Sequence, residues 1–202
     1  MASEIPASFS GVVPSLAVSA DLGPPRTELA IGALLPWCGR LYFVTYISHK
    51  SRSGSGAGLY YIDENLKEHK HPESYDGTYA NRFVHFESSQ AMLGPHLIDE
   101  HHNVRTVPEL CEVRTCGTMR HLEDPENRVY VLGMEGEFFD LNVRTLAIEE
   151  LFNLREVLDV HSYQSSHFKA GYTYDGRVVV CNNSYFEADH RGGRGRRGET
   201  GS

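Results

Sequence analysis

The chain has 202 residues, four cysteines and a formal charge of −8, a length within the ~50–250 residues of one ordinary domain. That charge excludes a general nucleic-acid binder, which carries a basic face, and favours a partner that is neutral, or anionic but met by a local basic pocket. No run approaches the ~18 apolar residues of a membrane span, so no membrane partner is expected.

In chain order, residues 1–26 are rich in Ser, Ala and Pro and read as an irregular arm. They lack the basic and continuously apolar regions of a secretory signal, which makes the cytoplasm the default compartment. Residues 27–190 read as blades. Gly39–Tyr46 is a β-branched and aromatic run, and Gly58–Asp63 is another, reached through a flexible Ser51–Gly56 loop. That loop lacks the Gly-Lys-Ser/Thr ending of a phosphate loop and leads into a strand, where the motif needs a helix.

The same pairing recurs as Gln90–Gly94 with His96–Asp99, and as Arg128–Gly133 with Glu137–Leu141. A fourth copy starts at Gly176–Cys181. The second strand of each complete pair ends in an acidic residue (Asp63, Asp99, Asp140), and an outer strand follows, at Asn103–Val107 and Leu146–Phe152. Glu149–Val157 fits a short helical turn as well as that outer strand. A short segment with a polar end precedes three of the pairs: Ala80–His85, Gly117–His121 and Ser166–Gly171. Four strands in each ~40–50 residues is the period of a propeller blade. The fold class is therefore all-β, a partial β-propeller of three to four four-stranded antiparallel blades. Residues 191–202 form an Arg/Gly tail, read as a disordered end because the body of the chain is acidic.

Cys111 and Cys116 lie five apart with no histidine at zinc-finger spacing. Cys38 and Cys181 sit in or beside apolar strand patterns. Free, buried thiols are the reading preferred to disulfides.

Sites in propellers form where the inner strands meet a mouth of the central channel. His85, His121 and His167 hold comparable places in successive repeats, so repeat geometry is expected to bring them together. The alternative is that they cap backbone groups around the channel. Ala80–Gln90 is the densest polar stretch in a strand pattern, and strands avoid this unless the polar groups have partners or a ligand. Within it Arg82 offers a bidentate donor for a carboxylate, Asn81 and Gln90 offer amides for sugar hydroxyls, and Glu87 is read as part of a network joining blades. His49, closing an apolar run before a glycine-rich loop, is placed to act as general acid or base, though a solvated loop histidine has the same pattern. His167, Lys169 and Tyr172 put a histidine, a cation and a phenol in one strand, and Asn183 and Tyr185 end the next.

The run from Leu41 to Asp99 includes Tyr46, His49, Gly56–Asp63, Ala80-Asn81-Arg82, His85, Glu87-Ser88, Gln90 and Gly94-Pro95. In that pattern, which extends over roughly residues 37–187, the chain resembles the seven-bladed propellers of carbohydrate-active enzymes. Among these it is similar to the enzymes that cleave the rhamnose–glucuronate linkage as hydrolases or lyases, with ulvan lyases more distant. The resemblance implies an oligosaccharide or polysaccharide substrate containing a uronate, and a catalytic histidine matched to His49 first and His85 second. It also implies Arg82 as the neutraliser of the carboxylate and Tyr172 or Tyr185 as a phenol donor. Some such propellers hold a calcium ion near the channel, although no acidic cluster here marks a site for one.

Seven blades need roughly twice this length, so the expectation is a truncated member with open blade edges prone to self-association. The activity expected is that of a polysaccharide lyase or glycoside hydrolase. The alternatives are a propeller segment that binds glycan or protein without turnover, and an inactive truncated product.

Overall fold

The computed structural model describes residues 29–47, 58–158 and 167–183. They form four antiparallel sheets, three of four strands and one of two, each following chain order from its inner to its outer strand. Blade 1 is β1 (Leu29–Trp37), β2 (Arg40–Ile47), β3 (Leu59–Ile62) and β4 (Glu68–Lys70). Blade 2 is β5 (Arg82–His85), β6 (Gln90–Leu93), β7 (His96–Asp99) and β8 (Val104–Thr106). Blade 3 is β9 (Thr115–Arg120), β10 (Arg128–Gly133), β11 (Glu137–Asn142) and β12 (Ile148–Asn153), followed by the one-turn helix α1 (Leu154–Val157). Blade 4 consists of β13 (His167–Tyr174) and β14 (Arg177–Asn183). The chain is thus all-β and built of propeller-type blades. The 1–26 arm, the loop carrying His49, and the 191–202 tail lie outside the described residues.

Burial on both faces explains the unbroken apolar runs of the middle blades. Successive residues of β6 alternate between two cores. Ala91 and Leu93 join Tyr42, Val44, Leu59 and Tyr79 between blades 1 and 2. Met92 joins Leu97, Val129, Val131 and Phe139 between blades 2 and 3. β10 repeats the arrangement, since Leu132 turns to the third core with Met119, Phe138 and Phe168. β1 is a strand the sequence pattern did not mark, because Gly32 and Pro36 interrupt it. Pro is tolerated there because β1 is the inner edge of its sheet.

Turns recur with the blades. Asp63 Oδ1 accepts the N–H groups of Asn65 and Lys67, and Asp99 Oδ1 accepts those of His101 and Asn103. In blade 3 the equivalent acceptor is Asn142, which takes the N–H groups of Arg144 and Thr145. Asp140, the acidic residue near the end of β11, instead binds Arg128 Nε at 2.7 Å and lies 3.4 Å from His121 Nε2. Two-residue hairpins with both φ positive close β1–β2 at Cys38-Gly39 and β13–β14 at Asp175-Gly176. All four cysteines are free; Cys111 and Cys116 are buried, but Cys38 and Cys181 are exposed, contrary to the expectation of burial.

His96 on β7 is fully buried, with Nδ1 3.0 Å from Thr106 Oγ1. Burial, helped by nearby His71 and opposed by the Tyr75 backbone, pushes its pKa down to about 4. The neutral ring is the folded form, so stability is full above the unfolded value near ~6.5 and falls as pH drops from there towards the folded value. The expected loss across that window is about 3 kcal/mol. Urea unfolding of the native chain and a His96→Gln chain checks it: the variant shows a flatter profile. Equal slopes would remove His96 from the account.

Candidate binding groove

The inner strands of blades 2, 3 and 4 run side by side in one direction. At their starts, Ala80 N–H just before β5 donates to the Thr115 carbonyl of β9 at 2.8 Å, and Phe168 N–H of β13 donates to the Met134 carbonyl of blade 3 at 2.9 Å. Their ends are tied by the Arg120–Glu87 ion pair and by Thr173 Oγ1 donating to the Arg120 carbonyl at 2.7 Å. β9 and β13 approach closely at two glycines: a Cβ on Gly117 would lie 3.1 Å from Gly171 N, and one on Gly171 would lie 2.3 Å from Met119 Sδ.

Along these strands runs a groove of about 650 Å³. β5 and the turn after it contribute Arg82, Val84 and Phe86; β9 contributes Gly117 and Arg120; β13 contributes Lys169 and Tyr172. Three cations line it, and no Asp or Glu is among its described lining residues. Arg120 is held by Glu87. Arg82 and Lys169 are exposed and make no hydrogen bond or ion pair within the described residues. In a chain of net charge −8, this wall is a local positive site, and its concave shape concentrates the field on an entering anion.

The structure does not bring the three repeat histidines together. His85 ends β5 and His121 follows β9, whereas His167 begins β13, at the opposite end of the inner strands. His85 is 2% exposed. Its Nδ1 accepts from Ser88 N at 3.2 Å and pairs with Ser88 Oγ at 2.8 Å, and its Nε2 lies 3.0 Å from the Pro125 carbonyl of blade 3. Burial, partly offset by Glu87, lowers its pKa. His121 Nδ1 likewise takes turn amides in its own blade, accepting from Glu123 N and Asp124 N at 3.1 and 2.9 Å. Both imidazoles cap the turn that follows an inner strand, as N-cap side chains do for a helix.

His167 is only part buried, 3.7 Å from Glu135 Oε1. Burial lowers its pKa against the pull of Glu135. Glu135 is fixed by Arg114 at 2.7 Å and by Arg155. This cluster, at the start of β13 two residues before Lys169, escaped the sequence reading. Its members come from three separate connections and share no local motif.

The amides are committed elsewhere. Asn81 is 1% exposed. Its Nδ2 donates to the Gly94 carbonyl at 3.1 Å and to Thr118 Oγ1 at 2.9 Å, and its Oδ1 accepts from Thr115 Oγ1. Gln90 donates to Ser88 Oγ and the Val143 carbonyl and accepts from Arg105 at 2.7 Å. Both bind blades together and neither reaches the groove. Asn183 Oδ1 accepts from His167 N at 3.2 Å, pinning the far end of blade 4. Glu87 joins blades 2 and 3 through Arg120. His49 and Tyr185 lie outside the described residues.

Among the described residues no three or more His, Cys, Asp or Glu stand together as a group that could hold a metal ion. No described helix is long and apolar enough to cross a membrane. No protein-family model matches the chain, and no curated protein matches it.

Proposed function

We propose that the inner-strand groove binds the carboxylate of a uronate-containing glycan, making the chain a glycan-binding propeller segment. The observation that carries this reading is a groove that holds two exposed cations outside any ion pair within the described residues, Arg82 and Lys169, with no Asp or Glu among its described lining residues, in a strongly acidic chain. Arg82 and Lys169 supply charged donors for a carboxylate. The exposed rings of Phe86 and Tyr172 supply apolar plates for the C–H faces of a sugar. The resemblance of the Leu41–Asp99 pattern to uronate-cleaving propellers points to the same ligand class. Calorimetric titration with a glucuronate-containing oligosaccharide tests it. Saturable binding that weakens as salt rises is expected; absence of binding to any uronate overturns it.

Cleavage of such a glycan is the second reading, favoured by His167. A histidine kept neutral at pH 7 beside an anchored carboxylate can take or return a proton. His85 has both ring nitrogens engaged and does not fit that task. If the chain turns over substrate, incubation with a uronate polysaccharide releases unsaturated ends, seen by ultraviolet absorbance, or new reducing ends. His167→Gln then abolishes the release while leaving binding intact. No product from the native chain leaves the binding reading alone.

A further inference from the structure

The β13–β14 sheet has one face on blade 3 and one face open. Val178 and Val180 pack against the third core. The register pairs Tyr172 with Val179 and Tyr174 with Arg177, and directly paired residues of an antiparallel sheet share a face. Tyr172, Tyr174 and Val179 are 70%, 74% and 59% exposed. The two phenol rings therefore stand on a supported strand, two residues and ~7 Å apart, with no hydrogen bond or ring contact among the described residues. Tyr172 is also a wall of the cationic groove. The open face thus continues the groove's own chemistry: cations at Arg82 and Lys169, a ring at Tyr172, then a ring at Tyr174 with the Arg177 guanidinium opposite it.

We infer that Tyr174 and Arg177 form a second sugar subsite continuous with the groove, and that the ligand is an extended anionic glycan of two or more residues, not a single uronic acid. This rests on the groove reading and adds the length of the ligand to it. Continuity through Tyr172 and the shared positive charge select a glycan over an apolar partner, which would leave Arg177 desolvated beside the rings.

The test is a set of titrations of the full chain with glucuronic acid and with glucuronate-containing oligosaccharides of increasing length. One aromatic subsite is expected to raise affinity about threefold to tenfold from the monosaccharide to the longer ligands. Tyr174→Ala removes that gain and leaves monosaccharide affinity unchanged, while Tyr174→Phe keeps it. Affinity that does not grow with length, or a Tyr174→Ala effect equal on the monosaccharide and the longer ligands, overturns the second subsite and spares the groove. A native chain that binds neither monosaccharide nor oligosaccharide overturns the groove reading itself, and this inference with it.

Discussion

Arg82→Ala is expected to weaken binding of a glucuronate-containing oligosaccharide by about 10- to 100-fold while leaving the unfolding midpoint unchanged. The guanidinium is exposed and unengaged within the described residues, so its removal breaks no internal contact, and such surface changes usually stay within about 0.5 kcal/mol. Its worth to a ligand is that of a charge-assisted, two-toothed hydrogen bond, about 1.5–3 kcal/mol. Arg82→Lys keeps the charge and loses the fork, so it is expected to fall between the native chain and the alanine variant. Lys169→Ala shows the same direction with a smaller effect, because an ammonium acts as a single point charge. Paired calorimetry and thermal unfolding check these results. An Arg82→Ala chain that binds as the native chain does would place the carboxylate elsewhere.

Asn81→Leu is expected to cost about 3–5 kcal/mol of stability, the largest effect of any single substitution considered. One residue upstream of Arg82, Asn81 uses both amide hydrogens and its oxygen inside the blade 2–blade 3 seam. Leucine fits the volume but strands the Gly94 carbonyl and the fully buried Thr115 hydroxyl, and leaves the Thr118 hydroxyl only its contact with Met92 Sδ. Unsatisfied buried groups cost more than the bonds themselves returned. Urea unfolding measures the loss, and a change below about 1 kcal/mol would mean that the seam is held by its apolar core alone. A milder Asn81→Ser change keeps one hydrogen bond and is expected to lie between the two.

The blade period was legible because each of the three four-stranded sheets repeats an apolar middle pair followed by a polar turn and an outer strand. The turn that follows needs a side-chain oxygen and not an acid: Asp63 accepts from Asn65 and Lys67 and Asp99 from His101 and Asn103, whereas in blade 3 the amide of Asn142 accepts from Arg144 and Thr145, one residue tighter. β1 was obscured by Gly32 and Pro36, residues that an inner edge tolerates and a central strand does not.

In the groove, Arg82, Lys169 and Tyr172 were visible as polar or aromatic residues lodged in strand patterns. The histidines misled because sequence shows the imidazole but not its partners. Those of His85 and His121 are backbone amides of the turn immediately following, along with a carbonyl or carboxylate distant in the chain. Arg120 entered the wall unseen for a similar reason. Its anchor, Glu87, belongs to the preceding blade. Glu135, Arg114, Arg155 and His167 meet only when three connections fold to one end of the inner strands.

A carboxylate is the group proposed to occupy the groove. The most direct measurement titrates the full chain with a glucuronate-containing oligosaccharide and, in parallel, with the same oligosaccharide after reduction of each carboxyl to a primary alcohol. Ring faces and hydroxyls are then identical, and charge alone differs. Saturable, salt-sensitive binding of the acid form and at least tenfold weaker binding of the reduced form are expected. Equal affinity for the two would contradict that proposal.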